Sequence, residues 1–251
     1  MNIFENFNFA VDGDSITAGN QWSFHVSKIL GTKSHSNVAV GSAVWYKRSV
    51  EFGGKTITTQ DYSSPDFAGI SDGWEPTDDP VEMQKRMNNC AVVHIQRFLA
   101  EVESGSFPEP DIFAFAMGTN DAEECIGDAQ KELSGKTLEN ADLFCEAGAA
   151  RWCIQTIRER FPNCRVFVMT PLQTATPEHN LKTEKVIANL RAVCRALSVQ
   201  MIDCYGGSGI CEKFEAIGGE GRYLRDGLHP KENGQALEGA FAAKEIRNNY
   251  F

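Results

Sequence analysis

Apolar and polar positions divide this chain into alternating segments of two kinds. Five short runs, residues 7–11, 36–40, 111–117, 164–170 and 199–203, are nearly continuous in apolar residues. Strands covered on both faces read this way, so the runs predict a parallel sheet. Between them, apolar residues recur at helical spacing over 22–30, 81–103, 140–160, 181–197 and 231–248. In the third of these, Leu143, Ala147, Ala150, Ile154 and Ile157 form one face. Pro230 is expected at the first position of the last helix. Alternating β and α elements predict a doubly wound α/β fold, with one domain spanning residues 1–251.

Two stretches break the alternation. Residues 42–80 are rich in Gly, Ser, Thr, Asp and Pro, yet carry Trp45, Tyr46, Phe52, Tyr62, Phe67 and Trp74. A loop longer than about 15 residues is usually functional or disordered. This aromatic content predicts an insertion ordered against the domain. Residues 205–225 hold six of the 22 glycines.

Composition narrows the function classes. The 251 residues are 42% hydrophobic and 23% charged, which excludes a disordered chain. Lys and Arg number 24 against 34 Asp and Glu, a net charge of −10. With no basic run, neither nucleic acid nor an anionic membrane surface is an expected partner. No apolar stretch reaches the ~18 residues of a membrane-spanning helix, so no membrane insertion is expected. The first ten residues lack a signal-peptide pattern. A cytoplasmic location is therefore expected, with secretion the alternative if a leader has been removed. None of the eight cysteines forms a C-x-x-C pair, and several sit in apolar patterns, so reduced structural thiols are expected.

Several common motifs fail. Gly54-Lys55-Thr56 and Gly135-Lys136-Thr137 resemble phosphate loops, but Ser49 and Gln130 stand where the first glycine is required. There is no dinucleotide-binding G-x-G-x-x-G after a strand, no H-E-x-x-H and no G-x-S-x-G. His25, His35, His94 and His179 lack metal-ligand spacing and read as surface or core residues. No metal and no cofactor is expected.

What remains is a constellation at strand ends, where open α/β sheets place their ligand crevice. Gly13, Asp14 and Ser15 follow the first strand and open a helix; on its own this could be a cap. Gly118, Thr119, Asn120 and Asp121 follow the third, where an Asn amide can donate into the crevice, or simply make a turn. Asp226, Gly227, Leu228, His229 and Pro230 precede the last helix. The three-residue offset lets Asp226 hold one ring nitrogen of His229 and leave the other free as a base.

Together these segments resemble the SGNH hydrolases, also called GDSL esterases and lipases, over nearly the whole chain. Residues 37–43 are similar to that family's second block. The resemblance implies a flavodoxin-like three-layer α/β/α fold with a five-stranded sheet ordered 2-1-3-4-5. It also implies Ser15 as nucleophile, His229 as general base and acid, and Asp226 as orienting carboxylate. The implied oxyanion donors are the Ser15 N–H, a second-block N–H and the Asn120 side chain. The family's second block places a glycine five positions after its Asn, and here that position is Ser42. The donor is assigned to Ser42, with Gly41 the alternative register, and Asp14 is read as structural support.

The expected activity is a metal-free serine esterase working through an acyl-enzyme. Trp45 and Tyr46, close to the second-block donor, suggest flat rings for a sugar. The expected substrates are therefore short-chain, chiefly acetyl, esters on a small molecule or oligosaccharide. The alternatives are a lysophospholipase or thioesterase acting on lipid acyl groups, and an inactive binding module on the same fold.

Overall fold

A computed structural model describes residues 2–250 apart from Asn20, Trp74, Pro76, Gly135 and Lys136. The aromatic Trp74 and most of the second Gly-Lys-Thr triplet thus lie outside the described residues.

The strands are β1 (Asn8–Gly13), β2 (Ser34–Asn37), β3 (Ser49–Phe52), β4 (Lys55–Thr58), β5 (Ile112–Ala116), β6 (Arg165–Met169) and β7 (Gln200–Ile202). The helices are α1 (Ser15–Ala18), α2 (Gln21–Leu30), α3 (Pro80–Met87), α4 (Ala91–Glu103), α5 (Ala129–Leu133), α6 (Glu146–Arg160), α7 (Pro177–Ala196), α8 (Cys204–Gly207) and α9 (Glu232–Asn249). Five strands form one parallel sheet in the order β2-β1-β5-β6-β7. Counted along the main sheet alone, this is the expected 2-1-3-4-5 order.

Successive residues in the central strands point to opposite faces, and both faces are covered. Phe113, Phe115, Val166 and Val168 enter one core with α4, α6 and α7 residues. Phe9, Val11, Ile112, Ala114, Phe167 and Met169 enter the other, with Trp22, Val26 and Leu30 of α2 and Ala242, Ala243 and Ile246 of α9. Burial on both sides explains why the central strands read as unbroken apolar runs, whereas the edge strand β2 is the polar segment Ser34–Asn37 rather than the expected 36–40.

Several helix boundaries differ from the pattern, α7 among them, which starts at Pro177 rather than 181. The periodic stretch 81–103 is two helices, α3 and α4, separated by residues 88–90. There the Asn88 and Asn89 side chains bond neighbouring loops rather than solvent. The third helix begins at Glu146 rather than 140, after a short 3₁₀ turn at Leu138–Asn140. The last helix is capped at Lys231 and starts at Glu232. Pro230 is instead engaged in a bridge with Leu224, so it stands outside the helix.

The insertion is ordered in its described residues. β3 and β4 pair as an antiparallel hairpin through Gly53 and Gly54, so the first Gly-Lys-Thr triplet sits in a hairpin turn and strand. Tyr62 and Phe67 meet edge-to-face at 5.1 Å and pack against the core. Six of the eight cysteines are buried. Among the described residues, no helix is long and apolar enough to cross a membrane.

Candidate functional site

Ser15 lies just past the carboxyl end of β1, at the first position of the short helix α1. The turn is held by Asp14, whose carboxylate accepts from the Ile16 N–H at 3.0 Å. Residue 13 must be glycine because a Cβ there would collide with the Thr17 side chain and the Ala116 carbonyl of β5. This close approach brings the Ser15 turn against the neighbouring strand end.

Across the crevice, Arg225 N–H bonds the His229 carbonyl at 2.9 Å, closing a tight turn. One oxygen of Asp226 accepts from the backbone N–H of Leu228 at 3.0 Å and of His229 at 2.7 Å. The other lies 2.8 Å from His229 Nδ1. A single carboxylate thus shapes the turn and orients the ring. His229 Nε2 then stands 2.9 Å from Ser15 Oγ. Burial alone would raise Asp226, but the hydrogen bonds from His229 and Leu228 outweigh it and hold its carboxyl below the usual range.

The second-block loop meets the Ser15 turn and the segment of residues 118–121. Asn37 donates to the Thr17 carbonyl at 2.8 Å, tying the end of β2 to α1. Asn120 donates to the Ala43 carbonyl at 3.1 Å, and Asp121 accepts from the Trp45 N–H at 3.2 Å. An Asn amide carries two hydrogens, so one can hold the loop while the second serves a ligand. Ser42 adopts φ +62°, the left-handed region that favours glycine. Its hydroxyl donates to Asp72 at 2.6 Å. A Cβ on Gly41 would strike the same Asp72 carboxylate.

Two buried carboxyls sit behind these segments. Burial pushes Asp14 up to about 6, countered in part by the Ile16 N–H and by neighbouring Thr119. Burial likewise pushes Asp121 up to about 7. Beside Ser15 and His229 lies a crevice of about 70 Å³, lined also by Gln21, Arg225 and Gln235. A larger cavity of about 500 Å³ borders Asn120 and is lined by Val44, Tyr46, Val50, Met87 and Phe144.

Such a site can move the Ser15 proton to His229, stabilise the resulting imidazolium on Asp226, and offer amide donors to an oxyanion. The model of the GDSL-like lipase/acylhydrolase family matches residues 12–237. The chain belongs to that family. It is a serine hydrolase acting on ester bonds. Three solved structures share its fold. One is a protein from Lactobacillus plantarum, 14% identical with a TM-score of 0.59, covering 98% of this chain and 99% of its own. A possible lipase from Chitinophaga pinensis is 14% identical with a TM-score of 0.57 and coverage of 97% and 98%. A lipase/acylhydrolase from Enterococcus faecalis is 16% identical with a TM-score of 0.53 and 96% coverage of each chain. No curated protein matches the sequence.

Not every expected site residue faces the crevice. Trp45 is fully buried and packs on Phe115 with ring centroids 5.3 Å apart. It is a core residue, and the sugar platform suggested by the sequence is not formed by it. Tyr46 is 4% exposed, and its hydroxyl accepts from the Ala122 N–H at 3.0 Å. It reaches only the larger cavity. Residues missed in the sequence include Asn89, His94 and Asp72, all of which touch the second-block loop or its supports. The sequence reads His94 as a surface or core histidine; its partner Asp12 is 82 residues away in the chain.

Among the described residues, Glu132, Asp142 and Cys145 place potential metal-ligand atoms within 4.8 Å of one another. Glu132 already accepts from the Asp142 N–H, at 3.0 Å, and the group includes none of Ser15, Asp226 and His229.

Proposed function

We propose that the chain hydrolyses short-chain acyl esters of polar alcohols through an acyl-enzyme on Ser15. The observation that carries this reading is the unbroken chain Ser15–His229–Asp226, with contacts of 2.9 and 2.8 Å. His229 takes the Ser15 proton as Oγ attacks the ester carbonyl carbon. The oxyanion is held by the N–H groups of Ser15 and Ser42 and by the Asn120 amide. His229 then passes the proton to the leaving alcohol. Water, deprotonated by the same ring, releases the acid and restores Ser15.

The acyl preference follows from size. The small crevice of about 70 Å³ beside Ser15 and His229 supports a short acyl group. The exposed Gln21 and Arg225 beside it suit a polar alcohol. With Trp45 buried, an oligosaccharide remains one such alcohol among others.

The cavity of about 500 Å³ bordering Asn120 favours a second reading, in which a longer lipid acyl chain is housed there. The test compares kcat/KM for p-nitrophenyl acetate and p-nitrophenyl decanoate, with Ser15→Ala as the control. The short-chain reading expects the acetate to be preferred. A preference for decanoate would overturn it in favour of the lysophospholipase or thioesterase class.

A further inference from the structure

We propose that Asp12, His94 and Asn89 form a buried relay that orients the Gly41–Ser42 peptide and thereby aims the Ser42 N–H as an oxyanion donor. The inference rests on the reading of Ser15 as nucleophile and adds positioning residues to it.

The hydrogen-bond chain has a determined direction. Asn89 Nδ2 lies 2.6 Å from the Gly41 carbonyl, which can only accept. The amide oxygen of Asn89 is therefore the atom 3.0 Å from His94 Nε2, and that ring nitrogen carries a hydrogen. At the other side of the ring, Nδ1 lies 2.8 Å from Asp12 Oδ1, which also accepts from the Gly13 N–H at 2.8 Å. A ring protonated on Nε2 alone would turn its Nδ1 lone pair onto a carboxylate. The Asp12–His94 contact therefore holds one shared proton, and the pair is neutral as a unit. That neutrality is what lets both side chains be fully buried at 0% exposure, with Asn89 at 1%.

The consequence at the crevice comes from peptide planarity. In a trans peptide the C=O and the following N–H point in opposite directions. Asn89 holds the Gly41 carbonyl on the buried side of the loop. The Ser42 N–H is then turned to the opposite, open side. The next peptides are fixed as well: Asn120 holds the Ala43 carbonyl and the Ala91 N–H holds that of Val44 at 2.9 Å. Ser42, with a left-handed φ that a non-glycine residue adopts at a cost, needs such restraint to stay in place. Asp12 lies on β1, three residues before Ser15, so the relay references the donor to the strand that carries the nucleophile.

The discriminating variant is Asn89→Asp. It keeps the shape and the acceptor for His94, but cannot donate to the Gly41 carbonyl. With p-nitrophenyl acetate, kcat is expected to fall about 10- to 100-fold while KM stays within about twofold, because oxyanion contacts strengthen in the transition state. Phosphonylation of Ser15 by a p-nitrophenyl phosphonate should slow in parallel. A folded variant with parental kcat, or one altered in KM alone, overturns the relay. If Asn89→Asp does not fold, the parent protein decides. Nitrogen-15 NMR of labelled histidine should show His94 Nε2 bearing a hydrogen. An unprotonated Nε2 would require the opposite Asn89 orientation and release the Gly41 carbonyl, which also overturns the relay. The two readings fail separately. An active Ser15→Ala removes the nucleophile assignment. An inactive Ser15→Ala with a fully active Asn89→Asp removes only the relay.

Discussion

Ser42 donates its hydroxyl to Asp72 at 2.6 Å, joining the second-block loop to a residue 30 positions further along the insertion. The bond helps hold a residue whose φ of +62° is disfavoured for any side chain and most of all for a β-branched one. Ser42→Val is expected to lose the bond and disfavour the left-handed conformation, lowering kcat by about tenfold or more. Ser42→Gly keeps the N–H and relieves the strain, so it should rank well above Ser42→Val. Steady-state kinetics on the two variants checks the order, and equal losses would show that the conformation of residue 42 does not matter.

Asn120 serves two functions in this account, holding the Ala43 carbonyl and presenting its second amide hydrogen to the oxyanion. Removing one oxyanion donor costs about 10²–10³ in kcat. Asn120→Ala also frees the loop that carries the Ser42 donor, so its loss is expected at the upper end of that range. KM should change little. A variant whose defect lies wholly in KM would make Asn120 a substrate-binding residue instead.

Stability should fall as pH rises through the weakly acidic range. Asp14 is pushed from 3.8 to about 6 by burial, so the folded protein keeps a proton there that the unfolded chain has released. Between these values the unfolded state binds fewer protons, and stability falls with pH by about 3 kcal/mol, then levels off. Asp121, pushed to about 7, extends the decline. Asp14→Asn removes the buried ionisation while keeping an acceptor for the Ile16 N–H. Urea midpoints should be nearly equal for parent and variant at pH 4, with the variant higher at pH 8. A variant less stable than the parent at pH 8 would contradict this.

The sequence pattern carried the sheet and the Asp226–His229 contact because each is locally encoded. Burial on both faces writes a strand as an apolar run, and Asp226 and His229 sit three residues apart in one turn. The supports of the second-block loop are different. Asp12, Asn89 and His94 come from a strand, an interhelical break and a helix, and nothing in their local spacing joins them. The break itself was invisible because apolar periodicity continues across it, while Asn88 and Asn89 interrupt the helix to bond distant loops. Trp45 misled for a related reason: its closeness in sequence to Ser42 does not say which way the chain turns, and here it turns the ring into the core against Phe115.

That placement makes its own prediction. Trp45→Ala should cost about 3–5 kcal/mol of stability, the usual loss for truncating a buried Trp. KM of the variant that remains folded should stay close to the parent. A stable variant with sharply raised KM would return Trp45 to the substrate site.

We infer that Ser15 Oγ, activated by His229, is the group that becomes acylated. The most direct measurement of this is peptide mass mapping after reaction with a fluorophosphonate, in which the serine oxygen bonds phosphorus and fluoride leaves. One adduct per chain is expected, on Ser15, with simultaneous loss of p-nitrophenyl acetate hydrolysis and no adduct in Ser15→Ala. Inactivation with the adduct on another residue, or a Ser15→Ala protein that still hydrolyses the ester at the parental rate, would contradict it.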